Sequence, residues 1–181
     1  MGANITNMYA AARPERLSHF VNIEGYAPIP EFFKGSLGNV IGRWLEHLRD
    51  PSEVRTYADY AQLTRRLMKG NRRLNQARAE YLASQLGHVD ERGELIVAAD
   101  PKARFISPIS LHREQAISLW SEIEARVLCI RGENSFVTRA FDKYPGELAL
   151  RVKALRDGRE VVLHDASHNL HHEVPEELAR L

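Results

Sequence analysis

Arg126-Val127-Leu128-Cys129-Ile130-Arg131-Gly132 and Val161-Val162-Leu163-His164, with the helical stretch 145–155 between them, decide the fold. The first run has strand character over Arg126–Ile130, with the apolar stretch Val127-Leu128-Cys129-Ile130 at its centre, and Gly132 ends it. Pro145–Leu155 carries its apolar residues at helical spacing and is closed by Asp157-Gly158. The second strand follows, then a histidine-bearing loop and a last helical segment from about His168 onward. A strand, a helical crossover and a second strand form the unit of a parallel sheet.

Upstream, Phe20-Val21-Asn22-Ile23 reads as another short strand, broken by Gly25, Pro28 and Pro30. Before it, Ile5, Met8, Tyr9 and Ala12 fall at helical spacing in a helix ended by Pro14. The intervening block, from about Glu31 to Glu124, is mostly helical, with segments expected at Leu37–Leu48, Tyr57–Met68, Asn75–Leu86 and Arg113–Ile123. A small extended pair is expected around Leu95–Val97. At about 95 residues the block is too long for a loop and reads as an inserted subdomain.

Composition narrows the function classes. The 181 residues suit one domain, or a domain with an insertion, and 44% hydrophobic and 27% charged residues are ordinary for a globular protein. A formal net charge of +1 offers no field for nucleic acid or anionic lipid. The basic run Arg65, Arg66, Lys69, Arg72, Arg73 and Arg78 reads as a solvated helical face, without the aromatic interleaving of a nucleic-acid site. A lone Cys129 in an apolar run excludes a disulfide framework and reads as a buried, inert thiol. No apolar stretch approaches the ~18 residues that span a bilayer. No signal peptide is visible, and a cytoplasmic location is expected.

Several short landmarks carry chemistry. Met1-Gly2 has the form of the x-G that follows the serine in a G-x-S-x-G turn, with the helix Asn4–Ala12 behind it. Together with Arg13–Leu17, Val21-Asn22-Ile23-Glu24-Gly25, Leu128–Glu133 and Ser167-His168, it resembles, in order and spacing, the second half of an α/β hydrolase. The resemblance implies an α/β fold in three pieces. These are a hydrolase-core part at residues 1–26, a helical cap at residues 27–125 and a second core part at residues 126–181. The parallel sheet is then a remnant with crossover helices.

By the same resemblance His168 is the base of a catalytic triad, on a loop at the carboxyl edge of the sheet. Many family members place an aspartate three residues after the glycine of the penultimate strand, where this chain has Ser135. Serine supplies no negative charge for an imidazolium. A second subgroup puts the acid directly after the sixth strand, the position of Glu24; Glu133 is the alternative. The nucleophile, a serine to judge from the Met-Gly that would follow it, is expected immediately before Met1, and Met1 takes the position of an oxyanion-hole donor. Gly2 is expected where a tight elbow leaves no room for a side chain. Among the aromatic residues of the block, Tyr26, Phe32 and Phe33 are the candidates to line an apolar pocket, whereas Trp44, Tyr57, Tyr60 and Tyr81 pack the cap helices.

The expected substrate is a small apolar ester, cleaved by a Ser-His-Glu triad, with no cofactor and no metal. His164, His171 and His172 match no catalytic slot and lack the partners of a metal site. Residues 1–181 alone are expected to be inactive. The alternative is a non-enzymatic interaction module or decayed enzyme that self-associates through the exposed edge of the strand at Phe20–Ile23.

Overall fold

The computed structural model describes residues 2–29, 36–50, 54–100 and 111–181. The chain divides into two compact units, one of residues 1–34 and 110–181 and one of residues 35–109.

The first unit is built on three parallel strands in the order β1-β5-β6: β1 (His19–Ile23), β5 (Arg126–Gly132) and β6 (Gly158–Leu163). Strand periodicity explains why β5 is apolar throughout. Val127 and Cys129 point into one cluster with Phe20, Tyr26, Trp120 and Ile123, whereas Ile130, backed by Leu128, points into a second cluster with Leu163, Ala166 and Leu170. Burying a side chain such as Ile130, 1% exposed, contributes about 1.5–3 kcal/mol. Helices α1 (Gly2–Ala12), α5 (Arg113–Ser121) and α7 (Glu147–Ala154) belong to the same unit, and Ala10, Trp120 and Leu155 join its first cluster.

Two elements depart from expectation. Helix α5, read from the sequence as part of the cap, lies with the sheet unit, because Ala116 and Trp120 bury there at 2% exposure each. Strand β6 begins at Gly158 rather than Val161, since Gly158 already pairs with Val127 while the polar Arg159 and Glu160 mask the pattern. The sequence reading also passed over α6 (Phe136–Phe141), a short helix whose N-terminus is capped by Ser135.

The second unit holds α2 (Leu37–Arg49), α3 (Tyr60–Gly70) and α4 (Gln76–Leu86). It also has an antiparallel sheet in the order β2-β4-β3, formed by Thr56–Tyr57, Leu95–Val97 and Gly87–Val89. Ser36, Asp59 and Asn75 cap the three helices, each side chain accepting from a backbone N–H in the first turn. Leu63, Leu74, Ala79 and Ala83 are buried between α3 and α4. Among the described residues no helix is long and apolar enough to cross a membrane.

Candidate active site

Three chain segments leave the carboxyl ends of β1, β5 and β6 side by side, where open parallel sheets place their ligands. At the end of β1 the backbone N–H of Glu24 still donates to the Ile130 carbonyl (2.9 Å), so Glu24 is held by the sheet. Its φ of 60° is left-handed, an uncommon state for a residue with a side chain and a form of strain that gathers at functional sites.

Two buried asparagines hold that turn. The Asn22 amide oxygen accepts from the Gly25 N–H (2.9 Å), and the Gly25 carbonyl accepts from both Asn22 Nδ2 (3.2 Å) and Asn7 Nδ2 (2.9 Å). Asn4 at the start of α1 accepts from the Ala27 N–H (3.2 Å). Gly25 has to be glycine, because a Cβ there would lie 2.3 Å from Asn22 Oδ1 and 2.6 Å from Ala3. The first turn of α1 is therefore pinned beside Glu24. Asn7 and Asn22 were not anticipated, although both are polar residues on the buried phase of their elements.

The Glu24 carboxylate, 6% exposed, is fully engaged. Oε1 accepts from the Gly132 N–H (2.6 Å), Oε2 accepts from Ser135 Oγ (2.5 Å), and His168 Nδ1 lies 3.1 Å from the same Oε2. Ser135 thus meets Glu24 directly: the two positions at which the resemblance allows an acid converge on one oxygen. Glu133 is elsewhere, accepting from the Asp165 N–H (3.3 Å) and facing His164 (3.5 Å). The choice between Glu24 and Glu133 as the partner of His168 falls to Glu24.

The histidine loop is fastened at both ends. The Ala166 carbonyl accepts from the Asn134 N–H (2.9 Å), and a Cβ at Gly132 would sit 2.5 Å from that carbonyl, so only glycine admits the loop so close. The carboxylate of Glu173, itself 5% exposed, accepts from the Ser167 N–H (2.7 Å) and from Ser167 Oγ. The His168 ring rests on Phe136, centroids 4.4 Å apart, with 36% of its side chain exposed. With Nδ1 turned to a carboxylate, Nε2 is the nitrogen available to a reactant.

The remaining candidates fall differently. Tyr26 is fully buried, tilted against Trp120, and its hydroxyl donates to Glu160 (2.8 Å), so it belongs to the core and lines no pocket. Burial, reinforced by Glu160, pushes its phenol well above the ordinary range. Met1, Phe32 and Phe33 lie outside the described residues. Among the described residues nothing stands within 4 Å of a Cβ built on Gly2. Burial pushes the Cys129 thiol up to about 12. His171 and His172 stack at 4.0 Å and are held below the ordinary imidazole range, chiefly by burial. Among the described residues no group of histidines, cysteines and carboxylates is arranged to hold a metal.

No family model and no curated protein matches this sequence. Solved structures do. The chain is similar to a thioesterase domain from the curacin biosynthetic pathway, at 21% identity and TM-score 0.80 over 98% of this chain and 62% of that one. It is similar to E-2-(acetamidomethylene)succinate hydrolase, at 18% identity and TM-score 0.71 over 99% and 61%. It is also similar to an α/β hydrolase from Novosphingobium aromaticivorans, at 19% identity and TM-score 0.65 over 98% and 59%. The chain spans about three-fifths of the length of these structures. Parallel strands in the order β1-β5-β6, joined by helices and matching along nearly the whole chain, give it part of the α/β-hydrolase fold.

Proposed function

We propose that this chain carries the base and the acid of an ester hydrolase acting through a Ser-His-Glu triad. The observation that carries the reading is the 3.1 Å approach of His168 Nδ1 to Glu24 Oε2, with the same carboxylate fixed by the Gly132 N–H. In the reaction, Nε2 of His168 takes the proton from a serine hydroxyl as it attacks the acyl carbon. Glu24 holds the Nδ1–H and stabilises the imidazolium that forms, which gives its Nε2 proton to the departing alcohol or thiol as the acyl bond breaks. A water deprotonated by the same Nε2 then releases the acid from the acyl-enzyme, and the proton returns to the serine. The substrate is a small apolar ester or thioester; the thioesterase among the similar structures supports the acyl class.

As the resemblance implies, the serine belongs to the turn that leads into α1, and the residue after it donates its backbone N–H to the oxyanion. Support comes from the hydroxyls near the pair, which are already committed. Ser135 is fully buried and bonded to Glu24, and Ser167 is bonded to Glu173. The test joins the chain to an upstream strand ending in Gly-x-Ser and measures hydrolysis of chromogenic short-chain esters. Turnover should require the added serine, His168 and Glu24. Turnover by residues 1–181 alone that survives His168→Ala would refute the triad.

A second reading, a non-enzymatic module that self-associates, is favoured by one feature. Among the described residues β1 is one of the two edge strands of its sheet, with Val21 54% exposed on it and Ile5 57% exposed on the adjoining α1. Open strand edges recruit other strands. Sedimentation showing a monomer at micromolar concentration would remove this reading.

A further inference from the structure

Resting on the acid–base reading above, we propose that Ser135 is a positioning residue that sets how strongly Glu24 holds the imidazole of His168. Its hydroxyl has one proton, and the surroundings dictate where that proton points. The Val137 N–H donates to Ser135 Oγ (3.1 Å), so that side of the oxygen is an acceptor. Among the described residues the hydroxyl donates to Glu24 Oε2, at 2.5 Å. Ser135 is fully buried, so water does not offer the hydroxyl an alternative.

The consequence falls on one oxygen. Oε1 is taken by the Gly132 N–H (2.6 Å), whereas Oε2 faces two donors, Ser135 and the Nδ1–H of His168 (3.1 Å). A carboxylate oxygen has lone pairs for both, but each donor draws on the same negative charge. The short serine bond takes the larger share and leaves the imidazole the longer, weaker one. A purely structural serine, there only to cap α6, would satisfy the Val137 N–H equally well with its proton pointing anywhere. The geometry on the carboxylate side distinguishes the two roles.

The test uses the whole chain, 15N-labelled, and reads the Nδ1–H proton of His168, identified by its loss in His168→Ala. An Nδ1–H held by a carboxylate resonates far downfield. Wild type should show this resonance and Glu24→Gln should abolish it. Ser135→Ala should move it farther downfield, because Oε2 is left to the imidazole alone. Ser135→Cys, a weaker donor of similar shape, should give an intermediate shift, and it decides the matter if the alanine variant does not fold. A resonance that stays in place or moves upfield in the folded Ser135 variants overturns the inference while leaving the Glu24–His168 pair intact. A wild-type resonance indifferent to Glu24→Gln overturns the pair itself, and the inference with it.

Discussion

Replacing Gly132 by alanine drives a methyl group into the backbone of the histidine loop. The new Cβ would lie 2.5 Å from the Ala166 carbonyl oxygen and 2.6 Å from that of Ser167, where ordinary contact begins at 3.4 Å, so the loop has to retreat by about 0.9 Å. It is not free to do so, since the Asn134 N–H holds the Ala166 carbonyl at 2.9 Å and Glu173 holds the Ser167 N–H at 2.7 Å. Overpacking of this kind costs about 1–3 kcal/mol, and loosening one backbone hydrogen bond adds about 1 kcal/mol. The stiffer unfolded chain offsets about 0.4–1 kcal/mol. A net loss of about 1–3.5 kcal/mol is expected, read as a lower urea midpoint at unchanged slope. The Nδ1–H resonance of His168, the next residue along, should shift or broaden in the same variant. Gly2→Ala is the control: with nothing within 4 Å of its Cβ and a place in α1, it should be neutral or stabilising by up to about 1 kcal/mol. A Gly132→Ala variant within about 1 kcal/mol of wild type, with His168 undisturbed, would refute the close-approach reasoning.

Glu24→Gln should reverse the imidazole tautomer. The Gly132 N–H, at 2.6 Å, keeps the amide oxygen on its side, so the amide NH2 meets Nδ1, which must become an acceptor with the proton on Nε2. Long-range 15N spectra report the tautomer, and the serine-completed hydrolase should lose on the order of 10⁴ in kcat, as in other triads with a misoriented base. Glu147 reports on acid stability, its carboxyl held down from 4.5 to about 2, first by the hydrogen bond from Arg113 and then by that from Arg151. A depressed carboxylate stabilises above its unfolded value and loses that contribution as the pH falls through the folded one. The gap in denaturation midpoint between wild type and Glu147→Gln should therefore close between about pH 4.5 and pH 2. Cys129, fully buried and with its thiol pushed up to about 12, should resist maleimide or disulfide reagents in the native protein and react on unfolding. Native-state labelling at the unfolded rate would contradict its placement.

Local pattern determined much of this protein. The run at Arg126–Ile130, ended by Gly132, read as a strand, and the alternation of elements around it pointed to a parallel sheet. The contact between His168 and Glu24 was anticipated from the family resemblance, which offered Glu24 because Ser135, at the other acid position, has no charge. Other features depended on contacts between residues far apart in the chain, which no window of sequence contains. Glu24 bonds Gly132 across 108 positions and His168 across 144, and only the packed sheet brings those ends together. The same distance hid the hydroxyl of Ser135 on the carboxylate. It also hid the fate of Tyr26, close to Glu24 in sequence, which turns inward and finds in Glu160, 134 residues on, a half-buried partner for its hydroxyl. Helix α5 carries the helical signature of the block before it and falls with the sheet unit because Trp120 finds its apolar surroundings there. Hydrophobic period dictates which face of an element is buried, but only the assembled chain decides against what.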